Sequence, residues 1–511
     1  MRVVTSEEMR RLDEETILRH EPGLVLMERA GQGIFEVIMG LMEEDEEYGV
    51  SIFLGRGNNA GDGLVLARLL AGAGVRVVLH YLHGSEEFSP DAFKNFKRLD
   101  DLRDSGTVEE IFFNVGDWEA RSTRGLEESD LVVDALLGTG INSPVRDVYV
   151  RAIEMINGCG LPVVAIDIPS GVNGTTGEVM GCSVRAGLTV TMALPKTGEL
   201  FYPGKALCGS VEVVDIGIPD EVIESSGIDR YIIGIETALE DLPSPDPSSH
   251  KFDRGSLLVV AGSRRYSGAA VLSSISALRS GCGIVYLAVP ESIRLAVQAA
   301  VPEVIVVAMP ETEQGSISAG GDALLEGLRI DAMAIGPGLT TDDGAAGLVR
   351  RLVSAAEVPV LLDADGINAF AGAFEEIVRL SGDRAIVLSP HSGELARLTG
   401  QRISGLPLPR MESLSALVAG TGLTLVHKGA PTVIAHPSGR IDINSAGHPG
   451  LATAGSGDVL TGVIGSLLAQ TKDPARSARL GVYLHSRAAD YAAMDTGERG
   501  MTASDCSRAV P

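Results

Sequence analysis

"VSIFLGRGNNAGDGLVLARLLAGAG", residues 50–74, sets an apolar run against a glycine-rich turn and then a leucine- and alanine-rich helical pattern. Glycines let the chain turn tightly from strand to helix. The first N–H groups of the helix then stay open to an anion. Such strand–turn–helix units build parallel sheets flanked by helices. The turn also opens as G-x-G-x-x-A at Gly55, Gly57 and Ala60, the start of a dinucleotide fingerprint. That fingerprint wants an acid about 20 residues on, at the end of the next strand. The next run, "VRVVLHYL", offers His80 and Tyr81 instead. What the turn presents is Asn58, Asn59 and Asp62, a set of neutral and anionic oxygens.

Outward from this stretch the alternation continues. A charged helix is predicted over about 6–42, followed by the acidic run 43–47, read as a solvated turn. "LVVDALLG", "PVVAIDIPSG", "LTVTMALP" and "VEVVDIGIP" follow as strand-like runs separated by helical patterns. The proline- and serine-rich "ALEDLPSPDPSSHK" (238–251) then breaks the pattern. A second series runs through "SLLVVAGS", "GIVYLAVP", "VIVVAMP", "DAMAIGPG", "PVLLDADG", "AIVLSP" and the hairpin-like "TLVHKGAPTVIAH". The expected organisation is an α/β domain over 1–225, a connecting segment over 226–250 and a second α/β domain over 251–511. Ligands of open α/β sheets collect at strand carboxyl ends, where nearly every glycine-rich or acidic motif falls, so one site per domain is expected.

The 511 residues carry a formal net charge of −26. That charge argues against nucleic-acid and anionic-membrane partners, which need basic surface. A phosphate-bearing ligand must be held by local N–H groups, a few Lys or Arg, and metal ions. No apolar run approaches the ~18 residues of a membrane span, and "MRVVTSEEMRRLDEET" is too charged for a leader. Five well-separated cysteines without a CxxC pair read as reduced thiols and point to the cytoplasm. Alanine-rich helices point to a homo-oligomer.

In the first half, two further strand ends are rich in oxygen. "LVVDALLGTGINSPV" supplies Asp134 and a second glycine loop, and "VVAIDIPSGVNG" supplies Asp167 and Ser170. Asn, Asp and Ser oxygens on adjacent strand ends could surround a hard or monovalent cation. A carboxylate beside it is a candidate for proton transfer. Five motifs in order, "TSEEMRRLDEETI", "LVLMERAG", "GRGNNAGDG", "DALLGTG" and "IDIPSGVNGTTG", resemble the NAD(P)H-hydrate epimerase domain of the YjeF N-terminal type. The resemblance implies a Rossmann-like three-layer sandwich that binds a hydrated nicotinamide dinucleotide. It implies K+ on Asn59, Asp134 and Ser170. Substrate would lie on Asn58, Asn59, Ala60, Gly61 and Asp62, on Gly138, Thr139, Gly140, Ile141, Asn142, Ser143 and Pro144, and on Asp167, with Asp167 catalytic. Ala60 stands where the family has Gly.

In the second half, "SRRYSGAA" and "AIGPGL" offer Ala269 and Gly338 as close-approach points, "LLDADGINAF" supplies Asp363 and Asp365, and "LSPHSGELARL" supplies His391. "HKGAPTVIAH" puts Lys428 at the head of a hairpin, and "GLATAGSGDVLTGVI" opens a helix on Gly455, Gly457 and Asp458. The helix mouth favours an anion, yet an acid stands in it. A base beside an anion hole is what a phosphoryl acceptor needs. No GxxxxGK[ST] loop exists. "GPGL", "LDADGINAF", "PHSGEL", "KGAPTVI", "GLATAGSGDVLTGVI" and "GMTASD" resemble the ribokinase-like ADP/ATP-dependent NAD(P)H-hydrate dehydratases, the YjeF C-terminal type. The resemblance implies a ribokinase-like three-layer α/β domain. It implies ADP or ATP, with Mg2+, on Lys428, Gly429, Ala430, Pro431, Thr432 and Gly457. It places the hydrate near Ala269, Gly338 and His391 and makes Asp458 the base. Phe252 and Ser392 depart from the family pattern.

Together the resemblances imply a bifunctional enzyme for NADHX and NADPHX, the hydrates of NADH and NADPH. One domain interconverts the 6R and 6S epimers and the other dehydrates the S form. The rival reading, a ribokinase-like small-alcohol kinase fused to a non-catalytic nucleotide-binding domain, leaves the five motifs of the first half unexplained.

Overall fold

The stretch 50–74 forms strand β1 (Gly49–Leu54) and the helix Asn58–Gly72. Val50, Ile52 and Leu54 pack into one core with Leu64, Leu66 and Leu70 of that helix, while Phe53 packs into a second core on the other sheet face. Apolar side chains on both faces suit a parallel sheet with helices on each side. A Cβ on Gly55 would stand 1.9 Å from the Leu136 carbonyl oxygen, so only glycine lets these two strand ends approach.

This computed structural model describes every residue except 43–47, 104–105, 114–115, 245, 383 and 511, so the expected acidic turn at 43–47 lies outside the described residues. The chain forms two compact units, the first over Arg2–Ile228 and the second over Asp229–Gly405 and Pro409–Pro511.

The first unit adds β2 (Arg76–Tyr81), β3 (Val108–Phe112), β4 (Leu131–Ala135), β5 (Val163–Ile166), β6 (Leu188–Met192) and β7 (Ser210–Val214). All pairings are parallel, in the order β3-β2-β1-β4-β5-β6-β7. This is the Rossmann-like arrangement. β3 reads "VEEIF"; its central acids hide an edge strand from hydrophobic patterning. The opening helix is two helices, Ser6–Arg19 and Gly23–Leu41. Pro22 precedes the second, where its missing N–H costs nothing.

The second unit carries β8 (Arg230–Ile232), β9 (Ser256–Val260), β10 (Ile284–Pro290), β11 (Ile305–Met309), β12 (Ala332–Ile335), β13 (Val360–Leu362), β14 (Ile386–Leu388), β15 (Leu423–His427), β16 (Thr432–Ala435) and β17 (Ile441–Asn444). Its sheet runs β11-β10-β9-β12-β13-β14-β15-β16-β17-β8. β16 lies antiparallel to both its neighbours. Leu257 and Val259 of β9 pack with Leu460, Ile464 and Leu468, and Leu258 and Val260 on the opposite face are equally buried. That is again a three-layer α/β body. Part of the stretch expected to connect the domains belongs to this unit. β8 pairs with β17, and Arg479 grips Asp241 of the helix Ile235–Asp241 at 2.8 and 2.9 Å. Burial and ion pairing hold a segment whose composition looks like a linker.

Candidate active sites

In the first unit the strand order reverses between β1 and β4, and the ends of these strands open the crevice where such sheets bind ligands. The helix there starts at Asn58, whose Oδ1 accepts from Ser89 Oγ at 2.7 Å. Asn59 is buried, yet its Oδ1 and Nδ2 have no hydrogen-bond partner among the described residues. The Ala60 methyl lies wholly in the core, so a ligand would meet only its backbone. Gly61 is buried beside it.

Asp134 lies one residue before the end of β4, fully buried, and burial lifts its pKa to about 6 against the hydrogen bonds it receives. It accepts from Ser170 N–H (2.7 Å), Ser170 Oγ (2.6 Å) and Leu136 N–H (3.1 Å). Ser170 Oγ accepts from Leu137 N–H at 2.8 Å. Asp134 and Ser170 are therefore in direct contact. A Cβ on Gly138 would stand 3.6 Å from Asn59 Cβ and 3.1 Å from Asp167 Oδ2, which places both residues against the same glycine. The loop 138–144 is pinned at Thr139, whose N–H donates to Asp167 Oδ2 at 3.2 Å, and at the Ile141 carbonyl, which accepts from Asn173 Nδ2 at 3.2 Å. Gly140, Asn142, Ser143 and Pro144 are exposed.

Asp167 sits at φ +67°, a conformation non-glycine residues rarely take. Its Oδ1 accepts from Lys196 Nζ at 2.5 Å. Lys196 is fully buried and also donates to Thr191 Oγ1 (2.7 Å) and the Met192 carbonyl (3.2 Å). Burial opposes its charge, but Asp167, Glu199 and Asp13 together hold its pKa above the ordinary lysine value. Burial pushes the Asp13 carboxyl up to about 7, with Lys196 opposing and Asp167 reinforcing. Burial, then repulsion from Asp167 and Asp13, also raises Asp62 well above the carboxylate range. Glu199 is pushed up to about 7, again by burial. The crevice thus holds carboxyls that keep a proton near neutrality beside an ion-paired carboxylate, a division suited to proton transfer.

Sequence reasoning named Asp62 and Asp167 but missed Lys196, Asp13 and Glu199. The available signal was a lysine directly after the strand run "LTVTMALP".

In the second unit, five parallel strand ends and one helix mouth converge. Asp363, buried after β13, takes Lys428 Nζ at 2.6 Å and Ser389 Oγ at 3.0 Å on Oδ1, and Thr461 Oγ1 at 2.7 Å on Oδ2. Lys428 stands at the end of β15, 3.9 Å from Glu394 Oε2. Burial works against its ammonium, but Asp363, Glu394 and Asp458 raise its pKa. The helix Ser456–Thr471 opens after Gly455, whose φ of +91° suits glycine. A Cβ on Gly457 would lie 3.6 Å from Lys428 Nζ, so the bare N-terminal turn faces the ammonium. Asp458 follows in the first turn. Burial, then repulsion from Asp363, pushes its carboxyl up to about 7, with Lys428 opposing.

His391 caps the helix Ser392–Thr399: its Nδ1 accepts from Gly393 N–H at 2.9 Å. The proton therefore sits on Nε2 of this half-exposed ring, 3.4 Å from Glu394 Oε1. Gly338, at φ +66°, would bring a Cβ to 3.0 Å from that of Ala269, so these two line one mouth. Asp365 is spent on local structure, accepting from Thr340 N–H (2.8 Å) and Asn368 Nδ2 (3.0 Å).

The turn at 428–432 is held from behind by Arg410, which the sequence did not single out. Its buried guanidinium donates to His427 Nδ1 (3.0 Å), the His427 carbonyl (3.3 Å) and the Pro431 carbonyl (3.0 Å). With Nδ1 accepting, His427 Nε2 carries the proton and donates to Ser392 Oγ at 3.1 Å. That is a local use for Ser392, which replaces the usual proline. Burial lowers the His427 pKa to about 4, keeping the ring neutral for this chain of bonds. Arg410→Ala should therefore lower stability by about 2–3 kcal/mol, since three buried acceptors lose this donor. An unchanged Tm would show that the turn is held by other means. Phe252, the other departure, stacks under Arg329 at 4.9 Å.

Among the described residues no group of three or more His, Cys, Asp or Glu is arranged to hold a metal, and no helix is long and apolar enough to cross a membrane.

Comparison with known proteins matches both units. The family of the YjeF-related protein N-terminus matches residues 23–198, and that of NAD(P)H-hydrate dehydratase matches residues 257–511. The bifunctional NAD(P)H-hydrate repair enzyme Nnr of Moorella thermoacetica is 38% identical, covering 100% of this chain and 96% of its own. The enzyme of the same name from Thermofilum pendens is 38% identical, covering 98% and 94%. Among solved structures, the ADP/ATP-dependent NAD(P)H-hydrate dehydratase from Bacillus subtilis, co-crystallised with ATP/Mg2+, is 28% identical with a TM-score of 0.46 and covers 55% of this chain and 96% of its own. Two families in series, and relatives matched from end to end, leave one placement: the chain belongs to the bifunctional NAD(P)H-hydrate repair enzymes.

Proposed function

We propose that the first unit interconverts the 6R and 6S hydrates of NADH and NADPH, and that the second returns the S hydrate to NADH or NADPH with ADP or ATP. The observation that carries this reading is Asp458, a carboxyl lifted to about 7 at a helix mouth that also faces Lys428. Acid and anion hole are then complementary. Lys428 to Thr432 and the N–H of Gly457 hold the nucleotide phosphates, with Mg2+ neutralising their charge when bound. Ala269, Gly338 and His391 hold the hydrate. Asp458 takes the proton of the C6 hydroxyl as that oxygen attacks the terminal phosphoryl group, whose bridging P–O bond breaks to release AMP from ADP or ADP from ATP. The C6–O bond of the phosphate ester then breaks as the ring nitrogen pushes, a proton leaves C5, and the double bond returns. Phosphate leaves far more readily than hydroxide, which is why the nucleotide is needed.

In the first unit the buried, unpartnered Asn59 amide and the bonded Asp134–Ser170 pair support a site for K+, since their oxygens suit a hard monovalent cation. An ion there would add positive charge near the substrate. Asn58 to Asp62 and Gly138 to Pro144 hold the dinucleotide. Asp167 moves the proton as C6 inverts through a cationic, imine-like state. Five unpaired cysteines support a cytoplasmic enzyme; assembly into a homo-oligomer rests on the alanine-rich helices alone.

Purified protein given chemically hydrated NADH should recover the absorbance of the reduced nicotinamide only when ADP or ATP is added. Recovery with neither nucleotide would overturn the dehydratase reading, and the two arms decide between ADP and ATP.

A further inference from the structure

The first unit holds a cavity that none of the assigned residues explains. It measures about 450 Å³ and lies beyond the carboxyl ends of β2 and β3, against the start of the helix Val148–Gly158. Leu82, Phe113 and Val148 give it an apolar wall. His83 lines it with Nδ1 3.1 Å from Glu87 Oε2, so Nδ1 carries the proton and Nε2 is left as an acceptor. That Nε2 is buried and has no hydrogen-bond partner among the described residues. A buried acceptor without a donor is costly unless a ligand supplies one.

The cavity is tied to the glycine turn. Arg56 of the turn pairs with Glu87 at 3.3 Å, and Ser89 bonds the Arg56 carbonyl at 2.9 Å and Asn58 Oδ1 at 2.7 Å. From the end of β5, where Asp167 stands, to the end of β2 is three strand spacings, ~14 Å. That is the reach of an extended dinucleotide whose pyrophosphate rests on the turn between them. The cavity's chemistry fits the far half of such a molecule. An apolar wall suits a purine face, an unpartnered acceptor suits its exocyclic amine, and carboxylates suit ribose hydroxyls.

Resting on the epimerase reading of this unit, we propose that this cavity receives the adenosine half of the hydrated dinucleotide, with His83 Nε2 accepting from the adenine amine and Glu87 from the ribose hydroxyls. Glu86, Glu87 and Asp147 outnumber Arg151 on the lining, and Arg151 already faces Glu119 at 3.4 Å. A 2′-phosphate would meet net negative charge there, so the first unit prefers hydrated NADH to hydrated NADPH.

Substrate truncation tests this. Epimerisation of hydrated NADH is compared with that of the hydrate of reduced nicotinamide mononucleotide, which lacks the adenosine half. Val148→Trp, which fills the cavity, should raise KM for the dinucleotide at least tenfold more than for the mononucleotide. Glu87→Gln, a surface change that spares the fold, should shrink the preference for hydrated NADH over hydrated NADPH several-fold. Equal effects on both substrates, or none, would overturn the cavity assignment while leaving the epimerase reading intact. A wild-type protein that epimerises neither hydrate would overturn both.

Discussion

Asp458→Asn should cut nucleotide-dependent dehydration about 10²–10⁴-fold, the usual worth of a general base, while R/S interconversion continues. The carboxyl is partly buried and feels the charge of Asp363, and both effects lift it to about 7. A base with that value is partly ionised near neutrality and still strong enough to accept a proton. The sign of the pH dependence follows. Only the ionised carboxylate can take the hydroxyl proton, so the wild-type rate should rise as pH increases through about 7 and level off above it. Asparagine keeps the shape of the helix turn and removes the titration, so the residual rate of the variant should lack that rise. A folded variant that retains dehydration within a few-fold of wild type would remove Asp458 from the mechanism.

Asp167→Asn should do the converse, lowering epimerisation by a similar ~10²–10⁴-fold. Repair of a mixed R and S hydrate should then stop once the S fraction is consumed, which an absorbance plateau reports directly. The fold should survive, because asparagine tolerates the left-handed backbone that Asp167 adopts at φ +67°. Once the Asp167 charge is gone, Asp13 and Glu199 lose a neighbour that raised their pKa and ionise more readily beside the Lys196 ammonium. If either substitution stopped both reactions in a folded protein, the two-site reading would be wrong.

Much of this was legible in the residues. "VSIFLGRGNNAGDGLVLARLL" announced a strand, a turn and a helix, because apolar period and glycine placement act over a few residues. The same logic found Asp134, Asp167 and Ser170 at strand ends and Asp458 at a helix mouth. It failed where local chemistry and global position disagree. "VEEIF" carries acids that hide an edge strand. Residues 230–241 look like a linker and become a strand and a helix because β17 and Arg479 hold them.

What the sequence alone determined is therefore the α/β class, the order of the units and the motifs that stand at strand ends, all products of short-range patterning. The tertiary structure decided which distant groups meet. Lys196 comes to Asp167, Asp13 to both, Lys428 to Asp363, and Arg410 to the carbonyls behind the 428–432 turn. The reason is physical. Burial and neighbouring charge set the proton affinity of a carboxyl, and both depend on what the fold brings within a few ångströms, not on what stands beside it in the chain.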